Sequence, residues 1–66
     1  MTREERIELA CADVFTCEAA KEAFRKTAAL LPDYSVFWNT EAEEQYAILE
    51  HHNPNIMIEF YDISAL

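Results

Sequence analysis

The chain has no glycine among its 66 residues. Every turn or helix end that requires a positive φ must therefore use another residue type, and asparagine adopts that region with the least strain. Asn39, Asn53 and Asn55 are the candidates. Pro32 and Pro54 mark the other breaks, since proline ends a helix and removes a backbone donor. Between these punctuation points the periodicities are readable. Thr2 followed by Glu5 has the form of a capping box, and Ile7, Ala10, Cys11 and Val14 recur at helical spacing, predicting a helix from about 3 to 14. Thr16 is placed to cap a second helix, from about 17 to 31, with Ala20, Ala23, Phe24, Thr27, Leu30 and Leu31 on one face. Pro32 stops it.

Tyr34 to Trp38 is short and rich in aromatic and β-branched residues, which predicts a strand. Thr40 and Glu43 repeat the capping-box pattern and predict a third helix from about 41 to 51. Ala42, Tyr46 and Leu49 would form its inner side, flanked by Gln45 and Ile48. Asn53-Pro54-Asn55 reads as a turn. Ile56 to Ile63 reads as a strand with Ile56, Ile58 and Phe60 on one face and Met57, Glu59 and Tyr61 on the other. The expected fold is thus α+β, one small domain over residues 1–66, in the order α-α-β-α-β, with helices packed on a two-stranded sheet.

A chain this short leaves much of its surface exposed, and small domains are often helped by disulfides, a metal or a partner. Cys11 and Cys17 are the only cysteines, and their spacing fits neither a CxxC redox motif nor a common zinc site. They read as small buried hydrophobes in a reducing compartment. The opening MTREERIELA is charged and has no signal-peptide core, and no apolar run is long enough to span a bilayer, so a cytoplasmic location is expected.

Charge is the informative feature. The formal net charge is −8, from 13 acids and 5 bases. Arg3, Arg6, Lys21, Arg25 and Lys26 all fall in the first 26 residues, beside acids that nearly balance them. On the second helix Glu18 with Lys21, and Glu22 with Arg25 and Lys26, are matched at i,i+3 and i,i+4. Residues 27 to 66 hold Asp33, Glu41, Glu43, Glu44, Glu50, Glu59 and Asp62 and no lysine or arginine. Glu41, Glu43 and Glu44 would sit in the first turn of the third helix, where the dipole favours an acid by about 0.3–1 kcal/mol each. Solubility is a second reason for acidity. Neither accounts for Asp33, Glu50, Glu59 and Asp62, so a solvated acidic face is expected.

Other chemistry finds little support. His51 and His52 follow Glu50, but adjacent helical positions point about 100° apart. They read as a helix C-terminus rather than metal ligands. Ser35 and Ser64 lack an elbow motif, and there is no glycine loop for a phosphate. Neither enzymatic activity, nor a cofactor, nor a metal is expected.

A tiny, acidic, glycine-free α+β chain of this kind resembles the small phage-encoded anti-CRISPR proteins that imitate DNA. The resemblance covers size, charge and compactness over the whole chain and includes no motif. It implies a non-enzymatic inhibitor in the host cytoplasm, docked on the DNA-recognising surface of a CRISPR effector complex. The charge map alone selects Asp33, Glu41, Glu43, Glu44, Glu50, Glu59 and Asp62 as partner-binding residues. The partner would be a basic nucleic-acid-binding protein, with no direct contact to nucleic acid and none to membrane. Two other readings fit the same sequence: an adaptor module with a solubilising acidic surface, and an antitoxin-like neutraliser of a basic nuclease. Like-charged protomers repel, which favours a monomer over a homodimer.

Overall fold

The first helix, α1 (Arg3–Val14), starts where its capping box sets it. The Glu5 amide donates to Thr2 Oγ1 at 3.1 Å, and the Thr2 amide donates to the Glu5 carboxylate at 3.3 Å. Ile7, Ala10, Cys11 and Val14 are buried, as their spacing requires. The computed structural model describes residues 1–41 and 43–62; Ala42 and Ile63, to which the sequence assigned places in a helix and a strand, lie outside the described residues.

The second helix, α2 (Glu18–Leu30), is capped by Cys17 with no side-chain bond. Thr16, predicted to cap it, instead gives its hydroxyl to Asp62 Oδ2 at 2.7 Å and its amide to the same oxygen at 3.2 Å. The buried stripe is Ala20, Phe24 and Ala28. Ala23 is exposed, and so is Leu30 at the helix end. Phe24 sets that orientation, its ring packed against Phe15 and, edge on, against Phe60.

Three strands follow: β1 (Ser35–Glu41), β2 (Glu44–Glu50) and β3 (Met57–Tyr61). They form an antiparallel sheet in the order β1-β2-β3. The α+β class holds, but the predicted third helix over 41–51 is the central strand, and the order is α-α-β-β-β. The capping pattern at Thr40 and Glu43 does not form a cap, because Thr40 lies in β1, opposite Gln45. The reason is cooperative. As a helix this segment would leave β1 and β3 as two short strands; as a strand it bonds along both of its edges. Its side chains then alternate, with Ala47 and Leu49 buried and Tyr46 and Ile48 partly exposed.

Among the described residues none has a positive φ. The missing glycine is covered by side chains. At the end of α2 the Arg3 guanidinium donates to the carbonyls of Ala28, Leu31 and Tyr34 at 2.8–3.1 Å, taking acceptors that a glycine C-cap would otherwise satisfy. Between β2 and β3, Asn53 Oδ1 accepts from the Asn55 amide at 3.1 Å, and the Ile56 amide donates to the Asn53 carbonyl at 2.9 Å. The turn at Asn53-Pro54-Asn55 is as expected, without a left-handed residue.

Both helices cover one face of the sheet. Phe24, Leu49, Val14 and Cys11 are the largest fully buried side chains, joined by Val36, Ala47 and Phe15. Burying each Phe, Leu or Val among them contributes roughly 1.5–3 kcal/mol. Among the described residues no helix is long and apolar enough to cross a membrane.

Candidate acidic sheet face

Strand alternation decides which side chains point away from the helices. With Val36 and Trp38 turned to the core, β1 presents Ser35, Phe37, Asn39 and Glu41 outward. The register places Phe37 beside Ile48 and Ile48 beside Glu59; Asn39 lies beside Tyr46 and Tyr46 beside Tyr61. Glu50 is flanked by Ser35 and Met57, and Glu41 faces Glu44 where β1 and β2 meet. The outer face therefore has an aromatic and aliphatic middle with carboxylates at both ends and on β3. No helix covers it among the described residues.

The basic side chains all have partners, and only Arg6 reaches this face, at its β1 edge. Arg25 makes a two-bond pair with Glu8 at 2.8 and 3.0 Å and approaches Glu18 at 3.7 Å. Lys21 and Lys26 pair with Glu18 and Glu22, each at 3.6 Å. Arg3 is held by the end of α2. Arg6 wraps the free edge of β1, donating to the Val36 carbonyl and lying over Phe37 and Trp38. The Arg25 guanidinium holds the Glu8 carboxyl below its ordinary value, chiefly through the hydrogen bond. Asp13, a first-half acid without a local base, accepts from Trp38 Nε1 at 2.9 Å.

The acids singled out from the sequence divide into three groups. Glu41, Glu44, Glu50 and Glu59 share the outer face, and Glu43 sits at the hairpin tip beside them. Asp33 lies apart, in the connection from α2 to β1. Asp62, at the end of β3, is tied to Thr16. The carboxylates of Asp33, Glu41, Glu43, Glu44 and Glu50 make no hydrogen bond or ion pair among the described residues. Glu59 accepts from the Tyr61 hydroxyl. That bond, reinforced by the negative charge of Glu59 and Glu44, raises the Tyr61 phenol above its ordinary value.

Glu41, Glu43 and Glu44 thus lose the stabilisation that a helix N-terminus would give them. Glu41 and Glu44 are directly opposite across the ladder, an arrangement in which like charges destabilise a sheet. Sequence reasoning also missed the aromatic part of the face. Tyr46 was assigned to a helix interior, yet its ring lies 6.0 Å from that of Tyr61 on the outer surface. The signal was the alternation of Glu44, Tyr46, Ile48 and Glu50, which the contiguous apolar run from Tyr46 to Leu49 obscured.

Two other places gather polar side chains. A cleft of about 480 Å³ is lined by Arg3, Arg6, Asp33 and Tyr34, but both guanidinium groups there are already spent on main-chain oxygens. His51 and His52 leave β2 rather than ending a helix, and their ring centres lie 3.8 Å apart with the planes tilted by 39°, with Tyr34 edge-on to His51 at 5.1 Å. His51 Nδ1 accepts from the Asn53 amide at 3.1 Å. No group of three or more His, Cys, Asp or Glu side chains among the described residues is arranged to hold a metal, and Cys11 and Cys17 are free thiols. No protein-family model, no curated protein and no solved structure matches this chain.

Proposed function

We propose that this protein is a non-enzymatic inhibitor that docks the outer face of its sheet on a basic nucleic-acid-binding protein and keeps nucleic acid out. The observation that carries the reading is the Glu41–Glu44 pairing, two carboxylates that no base among the described residues neutralises. Acids placed for solubility alone need not oppose each other across a ladder, where they cost stability. Spacing supports imitation of a phosphate array. Glu41 and Glu44 face each other across one strand separation, about 4.8 Å, of the same order as the roughly 3.4 Å by which phosphates on one DNA strand advance along the axis. Glu44 and Glu50 mark a face about 20 Å long by strand rise. Within this reading the target is a CRISPR effector complex, in keeping with the resemblance to DNA-imitating anti-CRISPR proteins. The protein acts as a monomer, since a second copy would set carboxylates against carboxylates.

A second reading has its own support. Phe37, Met57 and Tyr61 are exposed on the same face, as an adaptor with apolar contacts would require. Salt separates the two. Charge-driven docking weakens steeply as ionic strength rises, and apolar docking does not. An antitoxin-like neutraliser of a basic nuclease would share the salt dependence and differ in target.

The test is target-DNA binding by purified CRISPR effector complexes, with and without the protein. At least one complex should lose DNA binding, and Glu43→Lys combined with Glu44→Lys and Glu50→Lys should restore it. If the folded triple variant inhibits as well as the parent, these acids are not the contact surface. If changes at Met57 or Tyr61 abolish inhibition while the charge reversals do not, the adaptor reading replaces this one.

A further inference from the structure

Arginine and lysine make different demands on a binding surface. A guanidinium stacks on an aromatic face while its edge donates two parallel hydrogen bonds; an ammonium is a hydrated point charge. The sheet already holds one arginine by ring contact and a single hydrogen bond. Arg6 Cζ lies 5.7 Å from the Phe37 ring centre and 5.1 Å from that of Trp38, and the guanidinium donates to the Val36 carbonyl. Aromatic faces and an oxygen acceptor together fix it.

The same ingredients recur on the outer face of β2 and β3 without an arginine between them. Tyr46 and Tyr61 are cross-strand neighbours with ring centres 6.0 Å apart. Glu59 adjoins Tyr61 on β3, its carboxylate held by the Tyr61 hydroxyl. Glu44 adjoins Tyr46 on β2, and its charge is felt by the Tyr61 phenol. Tyr61 is 52% exposed, so its ring is open to a partner. Two aromatic rings with a carboxylate beside each make a surface on which a guanidinium can stack and bridge at once. All five of the chain's own bases have other partners and none lies between Tyr46 and Tyr61, so the occupant comes from outside, and a second copy of this acidic chain offers no free one.

We propose that Tyr46, Tyr61, Glu44 and Glu59 form a recognition site for an arginine side chain presented by the partner. The face then selects arginine-rich basic surfaces over lysine-rich ones of equal charge. The inference rests on the acidic-face reading above and sharpens it from any basic surface to a particular side chain.

Two short synthetic peptides of identical length and charge test it, one carrying arginine and the other lysine at alternate positions. Isotope-labelled protein is titrated with each at low salt, and amide shifts are followed. The arginine peptide should bind roughly tenfold more tightly, equivalent to about 1.4 kcal/mol, and should move the amides of Tyr46, Glu59 and Tyr61 most. Tyr61→Ser should bring the arginine peptide down to the level of the lysine peptide and leave the latter unchanged. Glu59→Gln should weaken the arginine peptide more than the lysine one, because it removes half of the bridging acceptor. Equal affinity of the parent for both peptides overturns the arginine site and leaves the acidic-face reading standing. Binding of neither peptide removes both.

Discussion

The two layers of this molecule treat charge in opposite ways. In the helical layer nearly every charged side chain has a partner: Arg25 with Glu8, Lys21 with Glu18, Lys26 with Glu22, Glu5 in its cap, Asp13 on the Trp38 indole. On the outer face of the sheet Glu41, Glu44 and Glu50 have none among the described residues, where Glu59 has a tyrosine hydroxyl. The charge asymmetry along the chain has become an asymmetry between faces, since Lys21, Arg25 and Lys26 pair within the helical layer and Arg3 and Arg6 are spent on main-chain carbonyls. Stability is concentrated on one side of the sheet, and the proposed docking face is the other.

The largest effect that tests this contrast is on the core. Phe24 is fully buried between Phe15 and Phe60, so Phe24→Ala should cost about 3–5 kcal/mol. In a domain this small that leaves much of the population unfolded at room temperature, which thermal melting by circular dichroism would show. Tyr61→Ser on the outer face should cost far less. Comparable losses from the two would mean that the outer face is structural after all.

Next in size is the end of α2. Arg3→Met removes the donors that the Ala28, Leu31 and Tyr34 carbonyls share and should cost about 1.5–3 kcal/mol, read from urea denaturation. Arg3→Lys should recover little, because one ammonium cannot reach three carbonyls in a fork. Full recovery by lysine would show that only the charge matters there.

A smaller effect of opposite sign is expected at the hairpin. Glu44→Lys turns a like-charge pair into an opposite-charge pair with Glu41 and should raise stability by roughly 0.2–1 kcal/mol in urea. Had the segment been a helix, the same change would have lowered stability through cap and dipole. A loss on Glu44→Lys would therefore contradict the strand assignment as well as the repulsion.

The smallest effect is in the acid range. Glu8 titrates below its ordinary value in the folded protein because Arg25 bonds its charged form. Its contribution is fully present above the unfolded-state pKa and is lost as pH falls through the lower folded one. Glu8→Gln should thus be slightly less stable than the parent at neutral pH, with the gap closing under acid conditions. Denaturation midpoints at several pH values check it; a constant gap would mean that the pair contributes through packing alone.

The helices were legible because their signals are local. Thr2 with Glu5, and the spacing of Ile7, Ala10, Cys11 and Val14, need nothing distant to be read. β2 was not legible, because Tyr46 to Leu49 is a contiguous apolar run that fits either period, and Thr40 with Glu43 imitates a cap. What decides it is pairing with β1 and β3, a non-local term absent from any window. The acids were found by composition alone, yet which of them share a face depended on that same pairing. Asp62 shows the limit: its charge marked it as a surface contact, and the fold gave it to Thr16.

The most direct test compares the two layers under equal charge change. One variant carries Glu44→Lys with Glu50→Lys on the sheet; the other carries Glu4→Lys with Glu22→Lys on the helices. Both are checked for folding by circular dichroism, and their affinity for the arginine peptide is measured by calorimetry beside the parent. If the outer sheet face is the binding surface, the sheet variant should lose binding while the helix variant keeps most of it. Equal weakening in both would mean that only net charge attracts the peptide, and the face would have no special role.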